Sequence, residues 1–62
     1  MNYRQEAEYW VRVAKVEETL AEEFWDNGNG NIVKGDLHMI ASLTYENVAK
    51  HYRQLAKEKE SV

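Results

Sequence analysis

Carboxylates dominate the reactive side chains of this sequence, with eleven Asp and Glu among 62 residues. Glu18 and Glu22 stand four apart, so on a helix both project from one face, a spacing that lets two carboxylates share a divalent cation. Such a site needs a second acidic pair, and the rest of the chain offers only Asp36 and Glu46, ten residues apart. Ser42, His38 and His51 fall on a single predicted helix, and no nucleophile, base and orienting acid can be assembled from them. Gly28 and Gly30 lack the spaced third glycine, or the Gly-Lys-Ser/Thr, that cradles a phosphate. Cysteine is absent, which excludes disulfides, thiolate metal sites and a thiol nucleophile. The expectation is a protein that is not an enzyme, with no catalytic residue, no metal ligand and no cofactor.

The elements that carry these residues are read from periodicity and punctuation. There is no proline, and all three glycines (Gly28, Gly30, Gly35) lie within a short central stretch. Tyr3, Ala7, Trp10, Val13, Ala14, Leu20, Ala21 and Phe24 recur at helical spacing and predict a helix over about 3–26. Asp26-Asn27-Gly28-Asn29-Gly30-Asn31 ends it, since Gly and Asn tolerate the positive φ of a helix C-terminus. A loop is expected over about 27–35, with Asp36 as N-cap of a second helix over about 36–58. The second helix is expected to pack through Leu37, Ile40, Ala41, Thr44, Val48, Tyr52 and Leu55. The fold class is therefore all-α, an antiparallel helical hairpin forming one domain over 1–62.

On helix 1 the apolar arc spans roughly 200°, wider than the ~100° stripe that one partner helix covers. Ala7, Ala14 and Ala21 recur at heptad spacing beside Trp10, Leu20 and Phe24, which lets helices approach closely. The surplus predicts a homodimer of hairpins forming a four-helix bundle. Glu17 lies near the centre of the arc and needs a polar partner; pairing the helices about residue 31 places it opposite Thr44 and Tyr45.

The central loop resembles part of the EF-hand calcium loop. With Trp25 first and Asp36 twelfth, Asn27 and Asn29 take the third and fifth positions, Gly30 the central glycine and Ile32 the eighth. Phe24, Leu37, Ile40 and Ala41 match the flanking apolar pattern. The resemblance implies a calcium-binding helix-loop-helix. It departs from the motif at Trp25, where a carboxylate belongs, at Val33 in the ninth position, and at Asp36, shorter than the usual bidentate glutamate.

Formal net charge is −3. Residues 1–27 hold three Lys and Arg against seven carboxylates, net −4, and residues 28–62 hold five against four, net +1. Glu22, Glu23 and Asp26 load the C-terminal end of helix 1, against its dipole. Together with Trp25 and an i, i+4 apolar pair, Met39 and Leu43, they form the expected partner-binding set. The function expected is an acidic protein–protein interaction module, a regulator, inhibitor or adaptor of another protein, of a size found among phage and mobile-element accessory proteins. A competing reading is RNA or DNA binding through Lys50, His51, Arg53, Lys57 and Lys59 with Tyr52 to stack. Glu58, Glu60 and the net negative charge weigh against nucleic acid. No apolar run suits a membrane or a signal core, and a cytoplasmic location is expected.

Overall fold

The computed structural model describes residues 2–26 and 32–60 and consists of two helices, α1 (Tyr3–Asp26) and α2 (Ile32–Glu60), packed side by side as an antiparallel hairpin. The start of α1 is fixed by Asn2, whose side-chain oxygen accepts hydrogen bonds from the backbone N–H groups of Arg4 and Gln5 at 3.1 and 3.2 Å. Those are two of the four donors a helix N-terminus leaves unpaired. Glu6 in the same turn complements the helix dipole, as do Lys57 and Lys59 in the last turn of α2.

The interface between the helices is built from small residues. Ala7, Ala14 and Ala21 of α1 are buried, and so are Gly35, Ser42, Ala49 and Ala56 of α2, each seven residues from the next on its helix. A strict seven-residue repeat keeps these positions on one seam along each rod. With so little side chain at each position, the backbones come closer than Leu or Ile would permit. Within the seam, Ser42 Oγ donates a buried hydrogen bond to the Ala14 carbonyl oxygen at 2.8 Å. At Gly35 the reason for the missing side chain is visible: the Trp25 indole lies across it, and an added Cβ would overlap the ring nitrogen and Cδ1.

Three expectations are corrected here. α2 begins at Ile32, four residues before the anticipated Asp36 cap, because Gly35 belongs to the seam and the chain gains packing by starting its helix ahead of it. The packing stripe of α2 is the expected one only in part: Ala41, Val48, Tyr52 and Leu55 are half-buried, but Leu37 and Ile40 are about 60% exposed and Thr44 is exposed, with the Thr44 hydroxyl donating to the Ile40 carbonyl oxygen of its own helix. The calcium-loop frame also fails. Its first two positions, Trp25 and Asp26, lie in α1, its last five, Ile32 to Asp36, lie in α2, and the helices run antiparallel where an EF-hand splays them. Asn27, Gly28, Asn29, Gly30 and Asn31 are outside the described residues. α2 continues without a break through Thr44.

The hairpin is a long rod, 51 × 13 × 13 Å between Cα extremes, with a radius of gyration of 14.6 Å. A compact chain of this length would have a radius near ~11 Å. Its accessible surface of 4772 Å² exceeds the ~4,200 Å² expected of a compact monomer of this mass. The close seam leaves the larger side chains on the flanks of the rod.

Candidate interaction surfaces

A seven-residue seam divides the remaining positions of each helix into two flanks, about 50° to either side of it. On α1 one flank carries Tyr3, Trp10, Glu17 and Phe24, and the other Arg4, Val11, Glu18 and Trp25. On α2 the corresponding sets are His38, Tyr45, Tyr52 and Lys59, and Met39, Glu46, Arg53 and Glu60. Contacts across the hairpin join like flank to like. Trp10 stacks on Tyr45 at 5.3 Å between centroids, Tyr3 meets Tyr52 at 6.0 Å, and Phe24 stacks on His38 at 5.4 Å. On the opposite flank Arg4 forks onto Glu60 through two 2.6 Å bonds.

The hairpin therefore has two unlike broad faces. One is aromatic and aliphatic, with Val13 and Leu20 beyond the α1 rings, and Ala41, Val48 and Leu55 beyond those of α2. Its large side chains are neither buried nor free: Tyr3, Trp10, Val13, Leu20, Phe24, Tyr45, Val48, Tyr52 and Leu55 are all half-buried. Each is covered on its seam side and bare outward. Lys59 and Lys34 lie over the Tyr3 and Phe24 rings at 5.5 and 5.7 Å, so their charges border this face at its two ends. The Trp10 indole N–H is buried with no acceptor among the described residues, an arrangement that costs about 1–3 kcal/mol. The other face is charged, with an open groove lined by Arg4, Ala7, Glu8, Arg53, Ala56 and Lys57.

Glu17 sits on the aromatic face as expected but finds a different partner. Its carboxylate meets His38 Nδ1 at 2.5 Å, not Thr44 or Tyr45: Thr44 is exposed, and the Tyr45 ring is stacked on Trp10. This places a polar pair within an apolar surface, the imidazole held between the carboxylate and the Phe24 ring. At the far end of the rod, the Arg4 hydrogen bond holds the Glu60 carboxyl below its ordinary range, and the same bond raises the Arg4 guanidinium. Both groups are solvent-exposed.

The six residues expected to bind a partner are only partly brought together. Helical phase puts Glu22, Trp25, Met39 and Leu43 on the charged face, Glu22 and Trp25 near the loop end and Leu43 close to mid-rod; Trp25 is 39% and Leu43 53% exposed and Met39 is half-buried. Glu23 and Asp26 are exposed but turn to the outer edges of α1, away from that group. One surface escapes sequence reasoning. Val33, Leu37 and Ile40 form an outward stripe on α2 at i, i+4, i+7 spacing, and with Ile32 they leave this end of the rod bare and apolar. The spacing itself is a visible signal, but apolar residues at that interval equally suit packing against α1, and only the position of the seam separates the two.

The basic residues near the end of α2 are divided by the same geometry. Lys50, Arg53 and Lys57 share the charged face with Glu8 and Glu46, whereas Tyr52 and Lys59 lie on the aromatic one. Among the described residues, no group of three or more His, Asp or Glu is placed to hold a metal ion. Neither described helix is long and apolar enough to cross a membrane. No family model, curated protein or solved structure matches the chain.

Proposed function

We propose that this protein is a non-enzymatic interaction module: two hairpins join through their aromatic faces into a four-helix bundle, and the loop end of each then docks on another protein. The observation that carries the reading is the continuous row of half-buried rings and aliphatic side chains along the aromatic face. The seam consumes only Ala, Gly and Ser, so every large apolar side chain of the aromatic face still has an open side. Burying a methyl contributes about 0.8 kcal/mol, against roughly 1.5–3 kcal/mol for a complete Leu, Val or Phe side chain. Most of the available hydrophobic free energy thus lies outside the seam, and the aromatic face, 51 Å long and 13 Å wide between Cα atoms, approaches the ~800 Å² per partner of a stable interface.

The docking role rests on the loop half, where Trp25, Glu22 and Met39 share the charged face with Leu43 nearer mid-rod, and the Val33, Leu37, Ile40 stripe is bare. A tryptophan with aliphatic groups and the Glu22 carboxylate on the same face suits a partner surface of apolar residues bordered by Lys or Arg. Such a protein acts by occupying its target, as a regulator, inhibitor or adaptor. The test is retention of a partner from extracts of the native host on immobilised protein. A band held by the wild type and lost with Trp25→Ala plus Glu22→Lys, but kept with Gln54→Lys at the other end, supports the assignment. Equal retention by all three contradicts it.

A further inference from the structure

We infer that the two hairpins of the bundle pack with their loop ends at opposite poles, making the dimer a bivalent adaptor. The inference rests on the dimer reading above and adds its orientation. Two arrangements bring the aromatic faces together around a twofold axis: one with both loop ends at the same pole, the other with them at opposite poles. Charge separates the two. Between residues 15–26 and 32–44, the loop half of the rod, six carboxylates from Glu17 to Asp36 face Lys15 and Lys34, a net −4. Residues 2–14 and 45–60, the terminal half, carry six Lys and Arg against five carboxylates, a net +1. With loop ends together, two −4 halves lie alongside each other. With loop ends opposed, each −4 half lies along a +1 half, and repulsion becomes mild attraction over the whole rod.

The relief of the face agrees independently. Tyr3, Trp10, Tyr45 and Tyr52 crowd the terminal half, whereas the loop half has Phe24, the His38 imidazole, Leu20 and the small Ala41. Opposed packing lays the bulky half of one copy on the thinner half of the next. Like-ended packing sets the bulky halves against each other and the thinner halves against each other, which is poorer filling of the same space. The consequence is functional: the two copies of the Trp25 and Glu22 surface stand toward the two ends of one rod. Such a bundle bridges two partner molecules, or two basic apolar sites on one partner.

The absence of cysteine makes the test clean, because single introduced thiols can be spin-labelled without removing any native group. Val33 is 69% exposed and lies off the aromatic face. In a Val33→Cys homodimer, opposed packing separates the labels by about 40 Å along the axis alone, counting about thirteen residues from mid-helix at ~1.5 Å each and doubling. A mixed dimer of Val33→Cys with Gln54→Cys must then give a short distance. Long Val33 pairs with short Val33–Gln54 pairs support the inference. Short Val33 pairs with long Val33–Gln54 pairs overturn the orientation and leave the dimer standing, whereas a protein monomeric at labelling concentrations overturns both.

Discussion

Gly35→Ala probes the seam most sharply, because its sign depends on a single contact. In the interior of an exposed helix, replacing Gly by Ala stabilises by about 1 kcal/mol through backbone entropy. Here the new Cβ overlaps the Trp25 indole, so the ring must leave. Trp25 is 39% exposed, and a tryptophan side chain buries up to roughly 150–250 Å², so full displacement returns about 90–150 Å² to water, or roughly 2–4 kcal/mol at ~25 cal/mol per Å². The net expectation for Gly35→Ala is a loss of about 1–3 kcal/mol. In a Trp25→Ala background nothing obstructs the methyl, and the same substitution should gain about 1 kcal/mol. The assay is urea unfolding followed by circular dichroism at one fixed protein concentration, with all four members of the cycle compared. Tryptophan emission of Gly35→Ala should move to the red as the indole becomes hydrated. If Gly35→Ala stabilises both backgrounds equally, the ring does not lie across the glycine and the reasoning about the seam is wrong.

Other outcomes follow from the same geometry. Trp10→Phe, which removes the unpartnered indole N–H while keeping a ring against Tyr45, should cost no more than about 1 kcal/mol, whereas Trp10→Ala should cost about 3–5 kcal/mol in urea titrations. Ser42→Ala removes the bond to the Ala14 carbonyl and should lose about 1 kcal/mol, while Ser42→Leu should lose more by forcing the helices apart. Glu60 has its carboxyl pKa lowered in the folded state, so its stabilising effect is present above the ordinary value of 4.5 and disappears as pH falls through the lowered one. Melting temperature should therefore fall in that acid window, and Arg4→Gln should remove this component of the fall.

Part of this structure can be read directly from the chain. The Ala7, Ala14, Ala21 repeat identifies the seam of α1, because alanine at strict heptad spacing beside large residues marks a line along which two backbones can close up. The matching seam of α2 is hidden, since its members, Gly35, Ser42, Ala49 and Ala56, belong to three residue types and none is strongly apolar. Weighting Leu37 and Ile40 instead turns the helix by more than a quarter of its circumference. Asp36 following Gly35 has the local chemistry of an N-cap, and seam packing overrides it, at a backbone cost near ~1 kcal/mol for a glycine within the helix. The Glu17 partner is missed for the same reason, since only the position of the seam puts His38 on the flank that Glu17 shares. Among the candidate site residues, Glu22 and Trp25 fall on one face while Glu23 and Asp26 do not, because neighbours in sequence are about 100° apart on a helix. That separation follows from periodicity once the seam is known, and not before.

The decisive quantity is molar mass, measured by light scattering across a range of protein concentrations. A bundle closed through the aromatic faces has twice the 7.3 kDa of one chain, and Leu20→Glu with Val48→Glu, both on that face, should return it to 7.3 kDa while helical circular dichroism persists at raised concentration. A wild type that stays at 7.3 kDa throughout, with the double variant indistinguishable from it, would contradict the claim that a second copy covers the exposed rings.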